Sequence, residues 1–517
     1  MKNKINLAPP VADVMFAVLF IMLSFFKGGR MLTDGDTGWH IRAGEFMIDT
    51  LSVPKTDIFS FRTPPFPWMP HTWLSEVIMA LIHRALGLTG VVIFFSFLIA
   101  LTYFLLFKMM RRYRGNILAA IVIALLVIDS SSAHWLARPH IFTLFLLVVW
   151  YYLLDVYQYD DKNRLYFLPV IMLFWVNLHG AFIMGFVLTG VYLFGNILFS
   201  ISSAGAEKER YKKKTKNLAL VMLLCLFASL VNPFGWHILL YPISATSNKF
   251  IVDNVMEFLS PNFHELRSFE YLLLLTMAIF AASKVSLNII EIILVIISAG
   301  MALYSVRHIT IFAAVIAPVL VRQADIIINR LEGRGIGLLK KKSEGIASMD
   351  ASSRGYLWPF AAVMAVVIFF AAGRIEYGFD EKKMPVDAVE FLKKEKLPGN
   401  MFNNDALGDY IIYAAWPEYR VFFDGRIDTY GEERLREYLK VTRLEQGWDE
   451  VLKKYDINWI IYNADSALSM FLLQRHDWKL IYADGVADIF VRNTEENRRL
   501  IEKYKNVKPP GEGFGSL

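Results

Sequence analysis

Apolar residues in this chain run in long blocks divided by short polar breaks, rather than alternating with polar ones. A helix that crosses a bilayer needs about 20 apolar residues, with a range of roughly 17 to 25. On that measure the pattern predicts about eleven spans, near residues 11–27, 89–107, 116–133, 139–157, 164–178, 180–200, 217–233, 268–284, 286–304, 308–325 and 356–374. The first reads as an uncleaved anchor, because "FFKGGR" after it offers no small-residue cleavage site. From Pro385 the texture changes. "PVDAVEFLKKEKL" places Pro in a first helical turn and apolar residues at helical spacing. "EERLREYLKVTRL" and "WDEVLKKY" predict further amphipathic helices, while "YRVFFDGR" and "INWIIYN" predict buried strands. "WKLIYADGVADIFVR" predicts a hairpin turning at Asp484-Gly485. The expected fold class is an α-helical multi-span membrane protein with a C-terminal external α/β domain. Its transmembrane domain covers residues 1–375 with a large first external loop at 28–87, and the C-terminal domain covers 376–517.

Charge sets the orientation. The clusters "KMMRRYRG", "DDKNR", "EKERYKKKTK", "SKVS" and the basic segment Arg322–Arg354 fall on one side if the N-terminal "MKNKIN" is cytoplasmic. The first loop, the turns at Arg138, His179 and Arg307, the loop Asn232–Arg267 and the C-terminal domain then lie outside. This accounts for the net charge of +6 without nucleic acid as a partner. A hydrophobic share of 55% fits the membrane class. The single cysteine, Cys225, sits in an apolar run and reads as packing, not redox or metal chemistry. No Asn-x-Ser/Thr acceptor occurs, which fits a bacterial cytoplasmic membrane.

The polar residues that interrupt this pattern are the chemical candidates. "MLTDGDTGWHIRAGEFM" carries Asp34, Asp36 and His40 beside the first span. One reading is a helix lying on the membrane, with Trp39, Ala43, Phe46 and Met47 toward lipid and Asp36 or Thr37 as N-cap. The rest of the loop adds Asp57, His71 and Glu76, the last also suited to a helix N-terminus. Arg138, Asn177, His179, Asn232, His237, Arg307 and His308 stand at predicted outer ends of spans. Each alone can snorkel to the interface. Together they predict a polar cavity at the outer leaflet, with acids facing cations. Glu291 lies near an inner end and reads as snorkelling or packing. In "VFFDGRIDTYG", Asp424-Gly425 is first of all a turn. Asp424, Arg426 and Asp428 would alternatively point at the cavity and hold an acceptor. Such a set suits one chemistry: a carboxylate takes the proton of an attacking hydroxyl, and cations offset charge on a departing phosphate. No dinucleotide-binding glycine fingerprint, P-loop, His-Glu-x-x-His or Gly-x-Ser-x-Gly element is placed to suggest another.

On "DGDTGWHIRAGEFM" in a large first external loop, many spans and a terminal external domain, the chain resembles the glycosyltransferase C superfamily. Protein O-mannosyltransferases, the aminoarabinose transferase of lipid A and oligosaccharyltransferase catalytic subunits belong to it. There an acid of this loop, often in an acidic-x-acidic pair, is the catalytic base or a metal ligand. The resemblance carries that role to Asp34 and Asp36, with a divalent cation such as Mg or Mn as the cofactor in the second case. "ARPHIF", "WVNLHGAF" and "VNPFGW" resemble segments of uncharacterised bacterial members. "NNDALGDYIIYAAWP" is faintly similar to the Trp-Trp-Asp-Tyr-Gly element of oligosaccharyltransferases but lacks both tryptophans in place.

The expectation is therefore a membrane glycosyltransferase, hexosyl or pentosyl and inverting. It would move a sugar from a polyprenyl-phosphate-linked donor to an acceptor glycan, lipid or protein at the outer face of the cytoplasmic membrane. Asp36 would be base or metal ligand and Asp34 its partner. His40, His71 and Glu76 would support them, and Arg138, His179, Arg307 and His308 would bind the donor phosphate. A transporter or flippase of lipid-linked glycans, and a non-catalytic subunit of an envelope assembly complex, are the rival readings.

Overall fold

A computed structural model describes residues 8–112, 116–265, 267–331, 337–353 and 355–510. "MKNKIN" and parts of the basic segments around Arg114 and between Arg322 and Arg354 lie outside the described residues. The chain forms two compact units: Met1–Gly28, Val92–Ser244 and Val252–Glu376 make one, and Gly29–Val91, Ala245–Ile251 and Tyr377–Leu517 make the other.

The first unit is helical, and each expected apolar segment falls on a helix. Among the described residues six helical stretches are long and apolar enough to cross a membrane: Val11–Leu32, Trp73–Arg112, Ile117–His134, His140–Asp160, Gly180–Ser202 and Val306–Arg330. The bent pair Lys340–Ser352 and Leu357–Ala371 would make a seventh. This is fewer than the expected number of spans, for a physical reason. The helices Phe167–Leu178, Ser268–Ser283 and Ile289–Tyr304 have 12, 16 and 16 residues. At about 1.5 Å per residue the shortest spans only about 18 Å, against a hydrocarbon core of about 30 Å. Helix Gly205–Ser229 opens with a basic half and turns apolar only afterwards. Several polar groups inside this unit find local partners, which a lipid environment favours. Asn116 caps Ile117–Ser131 by accepting from Leu118 and Ala119 N–H. Glu291 completes a capping box with Asn288 and pairs with Arg322, so its role is structural.

The second unit is built on a four-stranded sheet of order β1-β2-β4-β3, with β1 Asn400–Asn403, β2 Ile457–Asn463, β3 Trp478–Ala483 and β4 Ala487–Arg492. β1 runs parallel to β2, with Phe402 opposite Ile460. β4 is antiparallel to both β2 and β3, with Phe490 between Ile460 and Leu480. The expected hairpin is present, and its turn is tied by Asp484 Oδ1, which accepts from Val486 and Ala487 N–H. The expected helices form as Val386–Glu395, Ile427–Thr442 and Trp448–Lys454.

"YRVFFDGR" does not join the sheet. Its backbone bonds are met elsewhere, as burial demands. Val421 N–H donates to Phe59 O of the first loop (3.0 Å). The Asn403 side chain accepts from Phe422 N–H (2.8 Å) and donates to Phe423 O (2.7 Å), imitating a strand. Phe422 and Phe423 are thereby buried with Phe402, Tyr438, Ile460 and the first-loop residue Phe66.

The first loop is thus an integral part of this unit. Its helix Asp36–Thr50 packs on helix Asp405–Ala415. Two glycines one turn apart make the approach possible. A Cβ on Gly35 would lie 2.7 Å from Asp409 Cβ and Ala406 O, and one on Gly38 would lie 2.6 Å from Tyr413 Cβ. The face of this helix expected to meet lipid is buried in the unit: Trp39, Ala43 and Met47 are 7%, 0% and 4% exposed. Arg42 Nε donates to Tyr413 O (2.6 Å), and Trp416 Nε1 donates to Ile58 O (3.0 Å).

Candidate active site

The docking of these two helices brings carboxylates together from opposite ends of the sequence. Asp36 opens the first-loop helix, and its N-cap position is held by Gly35 rather than by Asp36 or Thr37. Asp34 Oδ1 accepts the Asp36 N–H (2.9 Å), so Asp34 does the work expected of a cap. Trp39 Nε1 donates to Asp36 Oδ1 (3.1 Å). Across the packed helices stands Asp409, in the first turns of Asp405–Ala415. One oxygen from each of Asp34, Asp36 and Asp409 lies within 4.8 Å of the others, a spacing at which the three could hold a metal ion. Asp36 and Asp409 are buried, and Asp34 is half-buried. Burial, with Asp36 and then Asp424 nearby, raises the Asp409 carboxyl well above its ordinary range. Like charges in one site favour the uptake of a proton or a cation.

The turn Asp424–Gly425–Arg426 flanks the cluster. Gly425 N–H donates to Asp409 Oδ1 (2.9 Å). The Arg426 guanidinium pairs with Asp424 (2.6 Å) and Asp57 (2.8 Å), and Tyr430 donates its hydroxyl to Asp424. Burial opposes the charge on Asp57, but Arg426 and the bonds from Ser60 and Phe59 outweigh it and hold this carboxyl below its usual range. Arg426 is therefore committed to both Asp424 and Asp57, whereas Asp428 is exposed.

One helical turn from Asp36, His40 Nδ1 lies 3.1 Å from Glu76 Oε1, which also accepts from Thr72 Oγ1 (2.6 Å). His40 packs on Trp39 with ring centroids 3.6 Å apart. Glu76 is fully buried, and His71 and Arg426 are among its electrostatic neighbours.

The span-end candidates belong to the other unit and fall into two groups. Arg138 and Arg307 converge on Glu257, at 2.9 and 3.2 Å. Arg138 above all, with Arg307, holds that carboxyl well below its ordinary range against the opposing effect of burial. His308, next in sequence to Arg307, has Nδ1 3.2 Å from Met301 O. His179 belongs to a separate network: its Nδ1 is 2.9 Å from Thr143 Oγ1, which accepts from Trp175 Nε1. Asn177, Asn232 and His237 bond to nearby carbonyls and read as structural.

Sequence reasoning overlooked Asp409 and Glu257. The signal for Asp409 was available: it is a lone acid inside "ALGDYII", a helix whose neighbouring positions are apolar.

No family model matches the chain, and no curated protein does. Solved structures match by fold. The apo oligosaccharyltransferase of Archaeoglobus fulgidus is 11% identical, with a TM-score of 0.57 over 94% of this chain and 74% of that one. The same organism's AglB, in complex with an inhibitory peptide and a dolichol-phosphate, gives 0.59 at 11% identity over the same shares. ArnT from Cupriavidus metallidurans, bound to undecaprenyl phosphate, gives 0.50 at 12% identity, over 93% of this chain and 98% of that one. The chain shares the overall fold of these proteins. At these identities the likeness is one of architecture, and it bears out the expected fold class of a multi-span helical membrane protein with a small C-terminal α/β portion.

Proposed function

We propose that the protein is a membrane glycosyltransferase that moves a sugar from a polyprenyl-phosphate-linked donor to an acceptor at the outer face of a bacterial cytoplasmic membrane. The observation that carries this reading is the meeting of Asp34, Asp36 and Asp409 on a glycosyltransferase C-like fold. AglB is described with a dolichol-phosphate and ArnT with undecaprenyl phosphate. A donor of that lipid-phosphate class is proposed here.

In this reading Asp36 takes the acceptor hydroxyl proton as that oxygen bonds to the anomeric carbon. The bond from that carbon to the phosphate oxygen breaks, and its electron pair leaves with the phosphate. Attack opposite the leaving group inverts the centre, and the transferred group is a hexosyl or pentosyl unit. His40, held by Glu76, and His71 support the acid group. Arg138 and Arg307, with His308 and His179, are proposed for the donor phosphate, where cations offset its growing charge.

The acid group also suits a divalent cation. Three carboxylates are hard oxygen donors of the kind Mg²⁺ and Mn²⁺ take. Asp34, Asp36 and Asp409 would hold the ion, which when bound would supply positive charge beside the reacting oxygens. Asp428, exposed in the first turn of helix Ile427–Thr442, is proposed to meet the acceptor. The proposed placement has the N-terminus cytoplasmic, a transmembrane domain over 1–375, and its first loop and the 376–517 domain external.

The test uses the full chain in lipid nanodiscs with a radiolabelled undecaprenyl-phosphate hexose. Release of undecaprenyl phosphate by the wild type, lost in Asp36→Asn, is the expected result. Equal release by both proteins would overturn the catalytic role of Asp36. An impermeant maleimide applied to introduced cysteines after Pro385 checks the placement, since labelling from the cytoplasmic side only would reverse it.

A further inference from the structure

The acid group comes from two distant segments, so something must fix the spacing between them. The turn Asp424–Gly425–Arg426 is in position to do so. Its Gly425 N–H bonds to Asp409 Oδ1 at 2.9 Å. A Cβ on Gly425 would lie 2.2 Å from Asp36 Oδ1 and 3.1 Å from Asp409 Oδ2. The backbone of this one residue therefore abuts both carboxylates at once, and only glycine leaves room for them.

What holds the turn is Arg426. The residue is 2% exposed. It bonds to Asp424 through Nε (2.9 Å) and Nη2 (2.6 Å), and its Nη1 lies 2.8 Å from Asp57 Oδ1. Its own N–H donates to Asp424 Oδ1 (2.9 Å), closing the turn on itself. Asp57 is in turn pinned to the first loop by Phe59 N–H (3.1 Å) and Ser60 N–H (3.0 Å). The rings of Phe59 and Trp68 each have their centroids 4.7 Å from the guanidinium carbon. Burying such a triad is an inefficient route to stability, since apolar replacements often serve as well or better. Its planar fork does something apolar side chains cannot: it fixes direction at two carboxylates simultaneously.

We propose that Arg426 is a positioning residue. By tying the turn to Asp57 of the first loop, it holds the Gly425 backbone at the height that spaces Asp36 from Asp409. This rests on the reading of those two carboxylates given above. Arg426 touches neither substrate nor reacting atoms in this role. It acts through the turn.

The test compares full-length wild type, Arg426→Lys, Asp57→Asn and Asp36→Asn in nanodiscs. Lysine keeps the charge and loses the fork. Asp57→Asn leaves Arg426 paired with Asp424 and guards against a lysine variant that fails to fold. Hydrogen exchange over residues 421–430 and donor turnover are both measured. Faster exchange confined to that segment is expected in Arg426→Lys and Asp57→Asn. With it should come a fall in kcat of up to about 10²-fold, the scale of a misplacement near 1 Å. Donor KM should stay unchanged. Wild-type exchange in both variants would overturn the proposal, as would faster exchange with kcat intact. Faster exchange spread over the whole chain would reduce Arg426 to general stability and overturn it too. Asp36→Asn keeps the two questions apart. Full turnover there removes the carboxylate reading, while the exchange data still decide whether Arg426 holds the turn.

Discussion

Two charged centres of this protein are organised in opposite ways. In the unit of first loop and C-terminal segment, Asp34, Asp36 and Asp409 gather like charge, and the buried cation beside them, Arg426, is committed to Asp57 and Asp424. In the membrane unit, Arg138 and Arg307 share the internal counterion Glu257. The first centre carries a surplus that invites a proton or a cation. The second sets two guanidinium groups against one carboxylate and so keeps a positive charge over before any ligand arrives. A catalytic centre is built from perturbed, imperfectly compensated groups. A cation pair that must take up and release an anion is better served by a carboxylate that keeps it ordered in between. In the reading proposed above the first centre does the chemistry and the second handles the anion, and that contrast can be broken experimentally.

The largest effect is expected at the acid centre. Asp36→Asn should lower donor turnover by about 10²–10⁴, the usual cost of losing a general base. Its melting temperature should stay near that of the wild type, because Asn is nearly isosteric and the helix N-cap here is Gly35. Asp34→Asn should cost less, since Asp34 contributes an oxygen to the backbone of Asp36. Turnover retained in Asp36→Asn would erase the contrast.

The next effect is expected at the arginines. Arg138→Gln or Arg307→Gln should raise donor KM about tenfold or more, taking a charged hydrogen bond as worth about 1.5–3 kcal/mol. Glu257→Gln should move KM the other way by removing the competing carboxylate. A KM unchanged in all three variants, read from initial rates against donor concentration, would take anion handling away from this centre.

The smallest effect concerns a buried acid in neither centre, and it serves as a control. Asp488 is fully buried on β4, and among the described residues no group hydrogen-bonds to either of its carboxylate oxygens. Burial, and then Asp484, push it up to about 7. The folded state therefore binds this proton more tightly than the unfolded chain. Its contribution is most favourable below the unfolded value near 4 and is lost as pH rises toward 7. Asp488→Asn should flatten the fall in melting temperature between about pH 4 and pH 7 and leave turnover at neutral pH unchanged. A melting curve with the same pH slope as wild type would reject this account.

The fold class was legible because its cause is local. Blocks of apolar residues announce spans, and the β2 segment "INWIIYN" and the Asp484-Gly485 turn announce a sheet. What stayed hidden was non-local. "YRVFFDGR" has the composition of a strand, but Asn403 and Phe59 satisfy its backbone, and no periodicity reports a side chain standing in for a strand. Trp39, Ala43 and Met47 look the same in sequence whether an amphipathic face meets lipid or another helix. Gly35 and Gly38 were the clue that a helix approaches closely there. At the site, Asp34 and Asp36 were visible as acids beside a span. Asp409 was not singled out, because its meaning depends on a partner more than 350 positions away.

The packing of the first loop against the C-terminal segment also bears on the order of synthesis. Asp409 and Arg426 leave the ribosome more than 350 residues after Asp36 and Asp57. Throughout that interval the loop lacks its partners in the C-terminal segment. Phe66 lacks the core it will enter, Asp57 lacks its guanidinium, and Gly35 and Gly38 face an absent helix. Contacts this distant in sequence close slowly and leave apolar surface open to wrong pairings. The enzyme proposed here would therefore be inert until the segment that carries Asp409 and Arg426 arrives. Any chain cut short before Asp405 would insert its spans yet never assemble a centre able to act on the lipids around it.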